Sequence, residues 1–161
     1  MSNNSYILSA IVENKPGVLF RVTNMFRRRG FNIESITVGR IEQPGLSKMT
    51  IVVNGDENTV EQLTKQLAKL IDIVKIVVLE PKTSVIRELA LIKINTTDQK
   101  ARTDILNFAQ IFRARTVDIA GDTLTIEVTG DSDKIDAFIK LVLSYGIRDI
   151  SRTGATGIQR G

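Results

Sequence analysis

Hydrophobic periodicity changes along this chain in one fixed order, and about eighty residues later it changes in the same order again. Tyr6 to Val12 is a nearly continuous apolar run, the pattern of a buried strand. Val18, Val22 and Phe26 then recur every four residues with Leu19 and Met25 beside them, a helical stripe that Gly30 terminates. A strand through about Arg40 follows, with Ile36 and Val38 on one face, then a turn at Glu42–Gly45 and an alternating strand of Met49, Ile51 and Val53. Val60, Leu63, Leu67, Leu70 and Ile71 form a second helical stripe, and Ile73 to Leu79 is a β-branched strand.

Glu80–Ser84 reads as a linker, after which the order repeats. A strand at Glu88–Asn95 leads to a helix with Ala101, Ile105, Phe108 and Phe112 in line. Strands at 114–120 and 123–129, a helix carrying Ile135, Phe138, Ile139 and Val142, and a strand from Ile147 to about Thr153 complete it. Strand, helix, strand, strand, helix, strand is the split βαβ unit, four antiparallel strands with both helices on one face. The expected fold is therefore α+β, two tandem ferredoxin-like βαββαβ units over residues 1–80 and 81–161. The Gly-rich stretch 153–161 reads as mobile in the free chain or ordered by a partner.

Composition narrows the chemistry. The chain has no Cys and no His, which removes disulfides, the usual zinc sites, Cys nucleophiles and every His-based triad. Among the carboxylates, Glu13, Glu34 and Glu42 fall on different elements, while Asp131 and Asp133 suit a helix start, so no acid/base pair stands out and a catalytic role is not expected. The net charge of +4 divides evenly, with 10 Lys/Arg against 8 Asp/Glu in residues 1–80 and 12 against 10 in 81–161. Arg27–Arg29 closes a helix, where cations suit the dipole. The polar N-terminus carries neither a signal nor a transit pattern, and no apolar run approaches the ~18 residues of a membrane span, so a cytoplasmic protein is the simplest reading. Five of the six phenylalanines fall on helices, apart from Phe31, leaving no aromatic platform for RNA on the strands.

One stretch asks for a ligand. In Glu13-Asn14-Lys15-Pro16-Gly17-Val18-Leu19, Asn14 is placed to cap the following helix, Pro16 suits a first turn, and Gly17 lets a ligand approach the main chain. The N–H groups of that helix start would suit a carboxylate or phosphate. The second repeat has Thr96-Thr97-Asp98-Gln99 at the equivalent place.

This turn, followed by Arg29-Gly30-Phe31-Asn32-Ile33 and by Asp56-Glu57 opening the second helix, resembles the ACT domain. With Ser35-Ile36-Thr37-Val38 and the downstream Arg87-Glu88-Leu89-Ala90-Leu91, the whole chain is similar to the small regulatory subunits of acetohydroxyacid synthase (acetolactate synthase). The resemblance implies a non-catalytic subunit that activates a catalytic partner and confers feedback inhibition by a branched-chain amino acid, usually valine. Thiamine diphosphate, Mg and FAD are expected on that partner and no cofactor on this chain. The resemblance also implies homodimers through the ACT domains, with the effector at their interface. Backbone donors near Gly17 and Val18 would take the valine carboxylate, Asn14 or Asn32 the ammonium, and Leu19 and Ile33 the side chain. A stand-alone amino-acid sensor for another enzyme and an RNA-binding ferredoxin-like protein are the alternatives.

Overall fold

The computed structural model describes residues 4–161, so the polar Met1–Asn3 lies outside the described residues. The first sheet is built from β1 (Asn4–Glu13), β2 (Ile33–Arg40), β3 (Leu46–Gly55) and β4 (Ile73–Leu79) in the order β2-β3-β1-β4, all neighbours antiparallel. Helices α1 (Val18–Arg28) and α2 (Glu57–Ala68) supply Val18, Val22, Phe26, Val60, Leu63 and Leu67 to one core with Leu8, Ala10, Val12, Met49, Ile51 and Val53 of the sheet. Burying a side chain such as Phe26 contributes on the order of 2–3 kcal/mol. α1 ends as its sequence dictates. Gly30 takes φ +72, its N–H donates to the Arg27 carbonyl, and the Phe31 N–H closes a six-residue loop onto the Phe26 carbonyl at 2.9 Å.

The second sheet follows the same plan with β5 (Ser84–Asn95), β6 (Arg115–Ile119), β7 (Thr123–Gly130) and β8 (Ile147–Arg152) in the order β6-β7-β5-β8. Its core joins Ile92, Ile94, Leu124 and Ile126 to Ile105 of α3 (Gln99–Ile111) and to Ile135, Phe138 and Val142 of α4 (Ser132–Val142). Two split βαβ units are thus present, as expected.

The compact units do not divide at the expected linker. One runs to Ile86 and takes in Gly154–Gly161, and the other is Arg87–Thr153, so the division falls inside β5. The expectation of a mobile tail is corrected, because residues 156–159 form a further strand, β9 (Thr156–Gln159), paired with β5. Glycines permit the close approach. A Cβ on Gly154 would stand 2.6 Å from the Ser35 Cβ, and one on Gly157 would stand 2.8 Å from Leu79 Cδ1. The Thr37 hydroxyl donates to the Ala155 carbonyl at 2.8 Å, and the Arg160 N–H to the Thr83 carbonyl at 2.8 Å. Glycine content signalled flexibility in the sequence, whereas here it allows two backbones to pack.

Candidate effector site

Three turns meet at one end of the first sheet. The Glu13 N–H donates to the Asp72 carbonyl at 2.9 Å and the Asn14 N–H to the Gly45 carbonyl at 2.8 Å, so the end of β1 is fastened to the turns preceding β4 and β3. The chain then enters α1 through Gly17, whose φ of +86 only glycine adopts without strain. Gly17 is the N-cap, with no side-chain hydrogen bond. This corrects the expectation that Asn14 caps the helix and Pro16 lies in its first turn. The left-handed step at Gly17 postpones the helix to Val18, and Asn14 is held at the sheet end by Gly45.

The other helices differ in a way that bears on chemistry. Asp56 caps α2, Asp98 caps α3 and Asp131 caps α4, each carboxylate accepting a first-turn N–H at 2.7–2.9 Å. Those three helix starts carry their own anion. Among the described residues α1 alone of the four α-helices lacks one. The Val18 N–H has only a long 3.4 Å contact to the Lys15 carbonyl, and the first helical bond runs from the Arg21 N–H to the Gly17 carbonyl at 3.0 Å. The Leu19 and Phe20 N–H groups lie in the turn that a helix cannot satisfy internally. Partial positive charge accumulates there.

Arg21 adds a full charge. Four residues after Gly17 it returns to the same face, and a Cβ on Gly17 would lie 3.0 Å from its Nη1. Its guanidinium forks onto Asp72, with Nε 2.6 Å from Oδ2 and Nη2 3.0 Å from Oδ1. Asp72 is buried, while the Arg21 side chain is 45% exposed and keeps an edge toward solvent. The Arg21 hydrogen bonds hold the Asp72 carboxyl below the usual aspartate range despite burial, and the same bonds raise the guanidinium pKa. Lys15 is occupied by Glu13 at 2.8 Å, a hydrogen bond that raises its pKa. Arg21 and Asp72 escaped the sequence reading because an arginine on the polar face of a helix reads as solvated. The i, i+4 spacing from Gly17 was the available signal.

The six predicted residues separate into two groups. Asn14 and Gly17 are exposed at the turn, and Leu19 is 47% exposed beside Phe20 at 68%. Val18 points into the core, so only its backbone belongs to the turn. Asn32 and Ile33 lie elsewhere. Ile33 opens β2 opposite Val53, Val53 lies opposite Tyr6, and Glu13 is seven residues further along β1. At ~3.3 Å per residue that is roughly 23 Å from the turn. One copy of the chain does not bring the two groups together.

Among the described residues no cluster of three His, Cys, Asp or Glu side chains could hold a metal, and no helix is long and apolar enough to cross a membrane. Tyr6 and Phe31 pack against the first core, so neither offers a stacking face for RNA.

Comparison with known proteins agrees with this architecture. Residues 8–75 match the family model described as the AHAS small subunit-like ACT domain, and residues 87–161 match the small subunit of acetolactate synthase. The chain is 52% identical over 161 residues to a probable acetolactate synthase small subunit of Methanothermobacter thermautotrophicus, covering 100% of this chain and 96% of the relative. It is 48% identical over 163 residues to the acetolactate synthase small subunit of Mycolicibacterium smegmatis, covering 100% and 95%. The crystal structure of the Thermotoga maritima acetolactate synthase small subunit superposes with a TM-score of 0.91 at 42% identity, covering 98% of each chain. With matched models on both halves and relatives of this similarity along its whole length, the chain belongs to the acetolactate synthase small-subunit family.

Proposed function

We propose that this chain is the non-catalytic regulatory subunit of an acetolactate synthase, activating the catalytic subunit and making it sensitive to valine. The observation that carries the effector assignment is the uncapped start of α1 beneath Gly17, with the exposed edge of Arg21 beside it. A carboxylate there gains backbone donors, the helix dipole and a guanidinium. Thiamine diphosphate, Mg and FAD belong to the catalytic partner in this reading, and this chain holds none of them.

The effector site is completed by a second copy. β2 is an edge strand, and the crossover from β1 to β2 carries α1 over β3, next to that edge. Pairing two β2 edges antiparallel about a two-fold axis covers otherwise open backbone groups and opposes the start of one β2 to the end of the other. The Asn32–Ile33 start of one protomer then arrives beside the Gly17 turn of its partner. Asn32 supplies an acceptor for the ammonium, while Leu19 and Ile33 flank the isopropyl group. Symmetry gives two such sites per dimer, and the exposed Leu19 and Phe20 lie toward the interface.

Reconstitution with the catalytic subunit tests this function. Valine is expected to lower the activity of the holoenzyme and to leave the catalytic subunit alone almost unaffected, because a ligand shifts an equilibrium only by its different affinity for two states. Equal inhibition of the isolated catalytic subunit contradicts the assignment, as does a catalytic subunit that this chain neither binds nor activates.

A further inference from the structure

The face of the first sheet turned away from α1 and α2 carries a second polar constellation, unrelated to the Gly17 turn. Register places Ile11 of β1 between Lys48 of β3 and Lys75 of β4, three residues in one row across the sheet. Two strand spacings put the lysine backbones roughly 10 Å apart, within reach of two four-carbon stems converging on one ion. A cavity of about 90 Å³ opens there, lined by both lysines, Ser9, Ile11, Val77 and Gln159.

Its polar groups are unoccupied by protein. Among the described residues neither lysine has an ion-pair partner. Ser9 is 4% exposed, and its hydroxyl forms no hydrogen bond with protein. That hydroxyl opens onto the cavity and is free to donate to a group bound there. Two lysine stems lining one cavity supply cationic donors for an anion bound between them. The donors come from four chain segments, Lys48 on β3, Lys75 on β4, Ser9 on β1 and Gln159 on β9. Donors distributed around a small cavity match a tetrahedral oxyanion better than a planar carboxylate, whose two oxygens share one plane.

We propose that this cavity binds a phosphate-class oxyanion, and that the bound anion fastens β9 to the sheet through Gln159. Binding that requires a seated tail stabilises the seated tail by linkage. The test is calorimetric titration of the full chain with inorganic phosphate at constant ionic strength, alongside hydrogen exchange of residues 156–159. Saturable binding is expected, with slower exchange on phosphate addition. The double variant Lys48→Gln/Lys75→Gln, altered only on the sheet surface, is expected to bind about tenfold more weakly or worse and to lose the exchange response. Gln159→Ala is expected to weaken binding without changing charge. A phosphomonoester such as glycerol phosphate separates the possible sources: affinity equal to that of phosphate identifies a phosphoryl-bearing metabolite, and exclusion identifies the free ion. Non-saturable binding, equal protection by chloride, or full affinity in the double variant overturns the site. Binding without any change in exchange at 156–159 overturns the fastening.

Discussion

Arg21 and Asp72, fifty-one residues apart in sequence, form a two-pronged ion pair that sets the first turn of α1 against the turn before β4. The buried partner is the carboxylate, and the half-exposed partner is the guanidinium whose tip stands over Gly17. The Asp72 backbone carbonyl meanwhile accepts from Glu13. One residue therefore positions both the end of β1 and the guanidinium whose tip lies over Gly17.

Gly17→Asp is expected to abolish the valine response. The left-handed φ strains any side chain, and the new carboxylate would lie within reach of Arg21, competing with both Asp72 and the ligand. Losing one charge-assisted hydrogen bond, roughly 1.5–3 kcal/mol, weakens binding about ten- to a hundredfold, and like-charge repulsion deepens the loss. Asn32→Ala removes one neutral contact and is expected to cost less. Titration of each folded variant with valine measures the difference, and parental affinity in Gly17→Asp would place the pocket elsewhere.

Acid stability reports the ion pair. Because Asp72 has a lowered pKa in the folded chain, its contribution is fully present above the ordinary aspartate value of ~3.9 and is lost as pH falls through the lower folded value. Asp72→Asn is expected to lower the urea midpoint at neutral pH and to flatten its decline in that acid window. Parallel pH profiles for variant and parent would deny the ion pair a part in stability.

Much of this architecture was legible in the sequence, and the exceptions share a cause. Val18, Val22 and Phe26 announced α1, β1 followed from a continuous apolar run, β4 from β-branched residues, and β3 from alternation, because that strand buries one face against helices. Asp56 and Asp131 were readable as helix-start residues because a cap acts within three residues, and the structure adds Asp98 as a third cap. Legibility failed where a contact spans the chain. Asp72 meets Arg21 across 51 positions, and Thr37 meets Ala155 across 118. No local pattern encodes either. The tail failed for a second reason, since glycine serves both flexible segments and close backbone packing, and only the surface it meets distinguishes them.

Filling either tail glycine should lift β9 from the sheet. Gly157→Val would drive a Cβ against Leu79 Cδ1 at 2.8 Å and Ile86 Cγ1 at 3.3 Å. Overpacking of this kind costs about 1–3 kcal/mol, which the tail escapes by detaching. Faster hydrogen exchange at 155–159 is the expected result, and unchanged protection would show that the tail is held differently.

Phe138→Ala tests the second core. Phe138 is fully buried and meets the Phe112 ring edge-on, with centroids 5.3 Å apart. The substitution is expected to cost about 3–5 kcal/mol by equilibrium unfolding. A loss below about 1 kcal/mol would mean that this core rearranges to fill the space.

The composite effector site is tested most directly by complementation. Two chains, one Gly17→Asp and one Asn32→Lys, are each expected to bind no valine as homodimers. Mixed by refolding, the heterodimer has one site with both defects and one site whose Gly17 turn and Asn32 are both intact. Calorimetry on purified heterodimers should then recover one valine per dimer at close to parental affinity. Heterodimers that bind no valine, or homodimers of either variant that bind it normally, would contradict a site shared between two copies of this chain.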